Sequence, residues 1–136
     1  MTQKTLKGQY TEAIGRRKSS TARVRIYSNE KESFLINDKN LTEYFPTITL
    51  QEKVLEPLKK TNTLNKFCFS VHVNGGGTTG QADAVKLGVA RVIKQILPDL
   101  KPTLKNEGLL TRDARKVERK KPGLHKARRA PQWRKR

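Results

Sequence analysis

The stretch FCFSVHVNGGGTTGQADAVKLGVARVIKQI, residues 67–96, contains the change of period that decides the fold. Over 67–74, Phe67, Phe69, Val71 and Val73 alternate with Cys68, Ser70, His72 and Asn74, which is a strand with one face in a core and the other half-exposed. From Ala82 the period lengthens. Val85, Val89, Val92, Ile93 and Ile96 fall with Ala82 within an arc of about 100°, opposite Asp83, Lys86, Arg91, Lys94 and Gln95, so a helix follows. Gly75, Gly76, Gly77, Thr78, Thr79, Gly80 and Gln81 join the two. A glycine turn running into a helix N-terminus offers free backbone N–H groups and a positive dipole end to an anion. The reading favoured is a backbone-on-backbone contact with RNA at Gly75, Gly76, Gly77 and Gln81. A tight turn that merely uses positive φ is the plain alternative. A nucleotide-using enzyme is the other, but the loop lacks the Lys-Ser/Thr of a Walker loop and the spacing of a dinucleotide fingerprint. No carboxylate pair or Ser/His/Asp set accompanies it.

Upstream, residues 10–27 read as two short strands. In the second, Ala22, Val24 and Ile26 alternate with Thr21, Arg23 and Arg25, giving an apolar and a basic face. Between them, residues 15–20 read as a turn of Gly15, Arg16, Arg17, Lys18, Ser19 and Ser20, whose cations and serines suit phosphate contacts. Residues 28–32 form a turn, and 34–36 a third strand ended by Asn37-Asp38. Asn37 or Asp38 can cap a short helix through Phe45, stopped by Pro46. Thr47 or Thr49 can cap a second helix carrying Ile48, Leu50, Val54, Leu55 and Leu58, with Pro57 limiting its length. Beyond Pro98 another helix starts near Asp99 and stops at Gly108. The total is four strands.

Charge sets the partner. The chain has 136 residues, 30 Lys and Arg against 12 Asp and Glu, and a formal net charge of +18. Residues 111–136 hold twelve of the cations, opposed only by Asp113 and Glu118. Their apolar content is too small to offset the entropy of ordering, so this segment needs an acidic surface to lie on, and phosphate is the obvious one. The candidate contacts there are Arg112, Arg115, Lys116, Arg119, Lys120, Lys121, His125, Lys126, Arg128 and Arg129. The organisation that follows is a flexible N-terminus over 1–9, a globular RNA-binding body over 10–110 and an extended basic tail over 111–136. Pro122 and Pro131 argue against the amphipathic helix that an anionic membrane would select. One cysteine, Cys68, permits no intrachain disulfide and fits a reducing compartment. A lone Cys with one nearby His is not a metal site, so neither a metal nor a cofactor is expected.

Three segments, GRRKSSTARVRIY (15–27), GGGTTGQADAVKLGVARVI (75–93) and GLLTRDARKVERKKPGLHKARRAPQWRKR (108–136), resemble the small-subunit ribosomal protein nine family of bacteria and organelles. The resemblance implies an α+β body with a four-stranded mixed sheet, helices packed on one face and a left-handed βαβ crossover, followed by the long basic tail. It implies a structural, non-enzymatic constituent of the small ribosomal subunit, bound to ribosomal RNA in the head beside neighbouring head proteins, with no membrane and no small-molecule substrate. It places the protein in the bacterial cytoplasm or a plastid. It further implies that the last residues reach the anticodon stem-loop of the peptidyl-site tRNA, a role that falls on Arg134, Lys135 and Arg136. The bacterial family pattern ends in an aromatic, a short residue and Lys-Arg; here Trp133 and Arg134 occupy the first two places, which adds a charge. A ribonuclease P-type protein subunit is the alternative within RNA binding.

Overall fold

The computed structural model describes residues 8–27 and 33–135. The N-terminal residues 1–7, the turn expected at 28–32 and Arg136 lie outside the described residues. Strands β1 (Tyr10–Arg17), β2 (Ser20–Tyr27), β3 (Ser33–Ile36), β4 (Lys39–Asn40) and β5 (Cys68–Asn74) form one mixed sheet in the order β1-β2-β5-β3-β4. Only β3 and β5 run parallel, joined through α1 (Leu41–Tyr44) and α2 (Ile48–Lys60). Helix α3 (Thr78–Ile96), a 3-10 turn at Pro98–Leu100 and α4 (Lys101–Asn106) complete the body. The architecture is α+β, as expected.

The sheet has five strands, not four. The extra strand arises from Asn37 and Asp38, which both take left-handed backbone (φ 46° and 65°). Two consecutive positive-φ residues make the two-residue turn whose twist suits a hairpin, and Asn tolerates that conformation better than most residues. The chain therefore folds back, pairing Leu35 with Asn40 and Ile36 with Lys39. These residues are a turn rather than helix caps: the cap of α1 is Asn40, with no side-chain cap hydrogen bond. Asn37 also bridges strands, donating through Nδ2 to the Val73 carbonyl and accepting at Oδ1 from the Val73 N–H, both at 2.9 Å. Pro57 sits inside α2 rather than ending it: it has no N–H for the Lys53 carbonyl, yet the helix continues to Lys60.

Ala13, Ala22, Val24, Ile26, Phe69, Val71 and Val73 turn to one face and form the core with Ala82, Ala84, Val85, Val89, Val92 and Ile93 of α3. Two glycines set how closely the helix lies on β1. A Cβ on Gly15 would stand 1.9 Å from the Ala84 carbonyl oxygen and 2.5 Å from the Gly88 nitrogen, and one on Gly88 would stand 3.3 Å from the Gly15 nitrogen. Backbone therefore packs on backbone, which only missing side chains permit. β1 is an edge strand, and Arg91 of α3 reaches back to donate to its Ile14 carbonyl at 2.7 Å. Among the described residues no helix is long and apolar enough to cross a membrane.

Candidate nucleic-acid interface

Register decides which cations stand together. Arg16 pairs with Thr21, Ile14 with Arg23, and Glu12 with Arg25; β2 in turn pairs Thr21 with Asn74, Arg23 with His72, and Arg25 with Ser70. Paired residues point to the same face. The sheet face away from α3 thus carries Arg16, Arg23 and Arg25 with Thr21, Ser70, His72 and Asn74. Glu12 is the only carboxylate in β1, β2 and β5, and it accepts from Arg25 Nε at 2.7 Å. Arg25 also lies over the Tyr10 ring, 4.6 Å from its centroid. The Glu12 hydrogen bond raises the Arg25 pKa further above its ordinary value. Arg25 is therefore already matched, whereas Arg16 and Arg23 are exposed cations.

Arg17 points the other way. Its side chain is 14% exposed and lies 2.9 Å from the Asp113 carboxylate and 3.7 Å from that of Asp83. It also donates to the Arg115 carbonyl at 2.6 Å. Asp83 holds Lys53 at 2.8 Å as well. Sequence proximity groups Arg17 with Arg16 and Lys18; strand alternation separates them, leaving Arg17 to join the body to the tail. The turn is shorter than expected, since Gly15, Arg16 and Arg17 belong to β1 and only Lys18 and Ser19 connect the strands. Lys18, at φ 51°, is exposed at the tip.

The glycine loop leans on this hairpin. Gly75 and Gly76 have φ of +75° and +67°; a Cβ on the first would meet the Ser19 carbonyl oxygen at 2.6 Å, and on the second Ser20 Oγ at 2.1 Å. Ser20 Oγ donates to the Gly75 carbonyl at 3.0 Å, and Gln81 Nε2 donates to the same oxygen at 3.2 Å. Tyr44 in turn donates its hydroxyl to Gln81 Oε1 at 2.9 Å. Gly75 and Gly76 thus serve a packed turn at positive φ, the plain alternative the sequence offered, whereas the internal bonds of Gln81 had no signal in the sequence. Gly77 differs: it caps α3 with extended backbone, is exposed, and a Cβ there would meet nothing within 4 Å. Helix α3 begins at Thr78, a turn earlier than the apolar spacing suggests, and at Gly80 in its first turn a Cβ would stand 3.0 Å from Ser20 Oγ.

Residues 112–135 form neither helix nor strand. Asp113 accepts a backbone N–H and a guanidinium from Arg115, whose hydrogen bonds hold the Asp113 carboxyl well below the usual carboxylate range. Glu118 takes Lys121 and, at 3.0 Å, Arg128, and these bonds lower its pKa too. The His125 N–H donates to the Arg129 carbonyl at 2.7 Å. Arg112, Lys116, Arg119, Lys120, Lys126, Arg129, Arg134 and Lys135 are exposed, and Trp133 is 93% exposed. The Trp133 ring therefore presents a flat apolar face to solvent among cations. Among the described residues no group of His, Cys, Asp and Glu is arranged to hold a metal.

The three segments singled out in the sequence therefore meet at one corner: the Lys18–Ser19 turn, the glycine loop on it, and the tail root tied by Arg17. A family model described as ribosomal protein S9/S16 matches residues 15–136, the range that contains all three.

Proposed function

Because the chain belongs to the ribosomal protein S9/S16 family, we propose that this ribosomal protein binds small-subunit ribosomal RNA in the head of the subunit and that its tail end touches the peptidyl-site tRNA. The observation that carries the reading is the shared corner. There, exposed Arg16 and Lys18, the open helix N-terminus at Gly77 and the emerging tail present cations and free N–H groups to one partner. Arg23 and His72 extend that surface across the open sheet face.

Each element suits RNA backbone. Phosphates take guanidinium and ammonium groups without regard to sequence, and a helix N-terminus accepts an anion. Arg112 and Arg115 start the cationic path beside the body, and Lys116 through Arg129 follow ribosomal RNA away from it. His125 and the turn of 121–129 bend the path. Trp133 stacks on a base or sugar, and Arg134, Lys135 and Arg136 meet anticodon-stem phosphates. The role is structural, with neighbouring head proteins and RNA as partners, on a bacterial or plastid ribosome. The nucleotide-enzyme alternative loses ground because Gly75 and Gly76 are packed against the protein's own hairpin, leaving little room for a cradled phosphate chain.

Binding of the full chain to a transcript of the small-subunit head RNA, competed with ATP and with unrelated duplex RNA, tests the reading. Tight, salt-sensitive binding that ATP does not compete is the expected result. Equal affinity for every RNA at moderate salt would leave only a nonspecific polycation.

A further inference from the structure

A tail that works by meeting phosphate gains nothing from carboxylates facing that phosphate, yet this one holds two. Glu118 bonds only within the tail, to Lys121 and Arg128. Asp113 does something else. Among the described residues, Arg17 is the only body side chain bonded to the tail beyond Thr111, and it is bonded at Asp113 and at the Arg115 carbonyl. Arg17 is held from the other side by Asp83, itself paired with Lys53, and Asp113 also takes the Arg115 side chain. The result is a chain of alternating charges, Lys53–Asp83–Arg17–Asp113–Arg115, running from α2 across α3 and β1 into the tail. Exposed ion pairs contribute little, but Arg17 is mostly buried, and networks hold geometry better than isolated pairs.

We propose that Asp113 is a positioning residue for RNA binding, a latch that docks residues 111–115 on the body and fixes the direction in which the cationic tail leaves it. This rests on the RNA-binding reading above. Residues beyond 115 are then the part that adapts to RNA, and the root is ordered beforehand. Ordering a segment before binding removes that cost from the association step.

The latch makes a prediction opposite in sign to electrostatics. Asp113→Asn deletes a negative charge, so a tail acting only as a polycation binds RNA more tightly. A latch predicts weaker binding, by roughly three- to tenfold if one or two side chains must now be ordered on association. The test uses the full chain as wild type, Asp113→Asn and Asp113→Glu. It measures affinity for the head RNA transcript and nitrogen-15 relaxation of the Ala114 and Arg115 amides in the free protein. Expected are lower affinity and faster root motion for Asn, with both restored by Glu. Wild-type binding with an Asn variant equally tight or tighter would overturn the latch alone, as would rigid root amides in that variant. A wild-type chain that fails to bind the RNA would overturn both the latch and the RNA reading.

Discussion

At the scale of single residues, the glycines divide into those that serve the fold and one that faces out. Gly76→Val forces a β-branched residue to φ +67° and drives its Cβ into Ser20 Oγ. A loss of stability on the order of 1–3 kcal/mol is expected in thermal unfolding. Gly77→Ala meets no atom within 4 Å and should leave the melting temperature nearly unchanged, the poorer N-cap being offset by a less flexible unfolded chain, yet weaken RNA binding, because a methyl group now lies where backbone would approach phosphate. An affinity unchanged by Gly77→Ala would remove the helix N-terminus from the interface. The strand alternation of Arg23 and Arg25 is visible in sequence, but their inequality is not: Glu12 lies 13 positions before Arg25 and becomes its partner only through hairpin register. Replacing Arg23 with Gln should therefore flatten the salt dependence of RNA binding more than replacing Arg25, since a cation with its own carboxylate releases fewer counterions. Equal slopes for the two variants would contradict this.

At the scale of elements, the parts that declared themselves are those in which one period persists over many residues. The stripe of Val85, Val89, Val92 and Ile93 and the alternation of β5 each repeat a single physical requirement and are read without knowing any neighbour. β4 is hidden because it is two residues long and its signal, Asn37-Asp38, serves equally as a cap or a hairpin turn. The separation of Arg17 from Arg16 could be argued from alternation, but its partner at the Arg115 carbonyl is 98 residues away and no local pattern announces it. Residues 112–135, by contrast, are without helix or strand, in keeping with their high charge and low apolar content. Deleting residues 111–136 should flatten the slope of log affinity against log salt by several units. Neutralising Arg16, Lys18 and Arg23 together should flatten it by roughly two, on the basis of about 0.7–0.9 per phosphate contact. The measurement is filter binding across a salt series, and an unchanged slope after tail deletion would assign the contact to the body.

At the scale of the whole molecule, the proposed reading has residues on either side of one corner meeting two partners. Removing residues 134–136 should leave subunit assembly intact while speeding tRNA release from the peptidyl site, by an amount equivalent to about 1–3 kcal/mol for charge-assisted bonds to phosphate. The effect should be alike for different tRNAs, because phosphates are common to all; identical release rates with and without the three residues would return them to ribosomal RNA. One feature of the body bears on the time before any partner is met. A sheet normally offers its outer strands as templates on which further copies can pair. Here one outer strand is the two-residue β4, and the other, β1, has its Ile14 carbonyl occupied by Arg91. One acceptor of that outer strand is thus closed to a second copy by a cation on the helix, which makes the strand a poorer template for pairing.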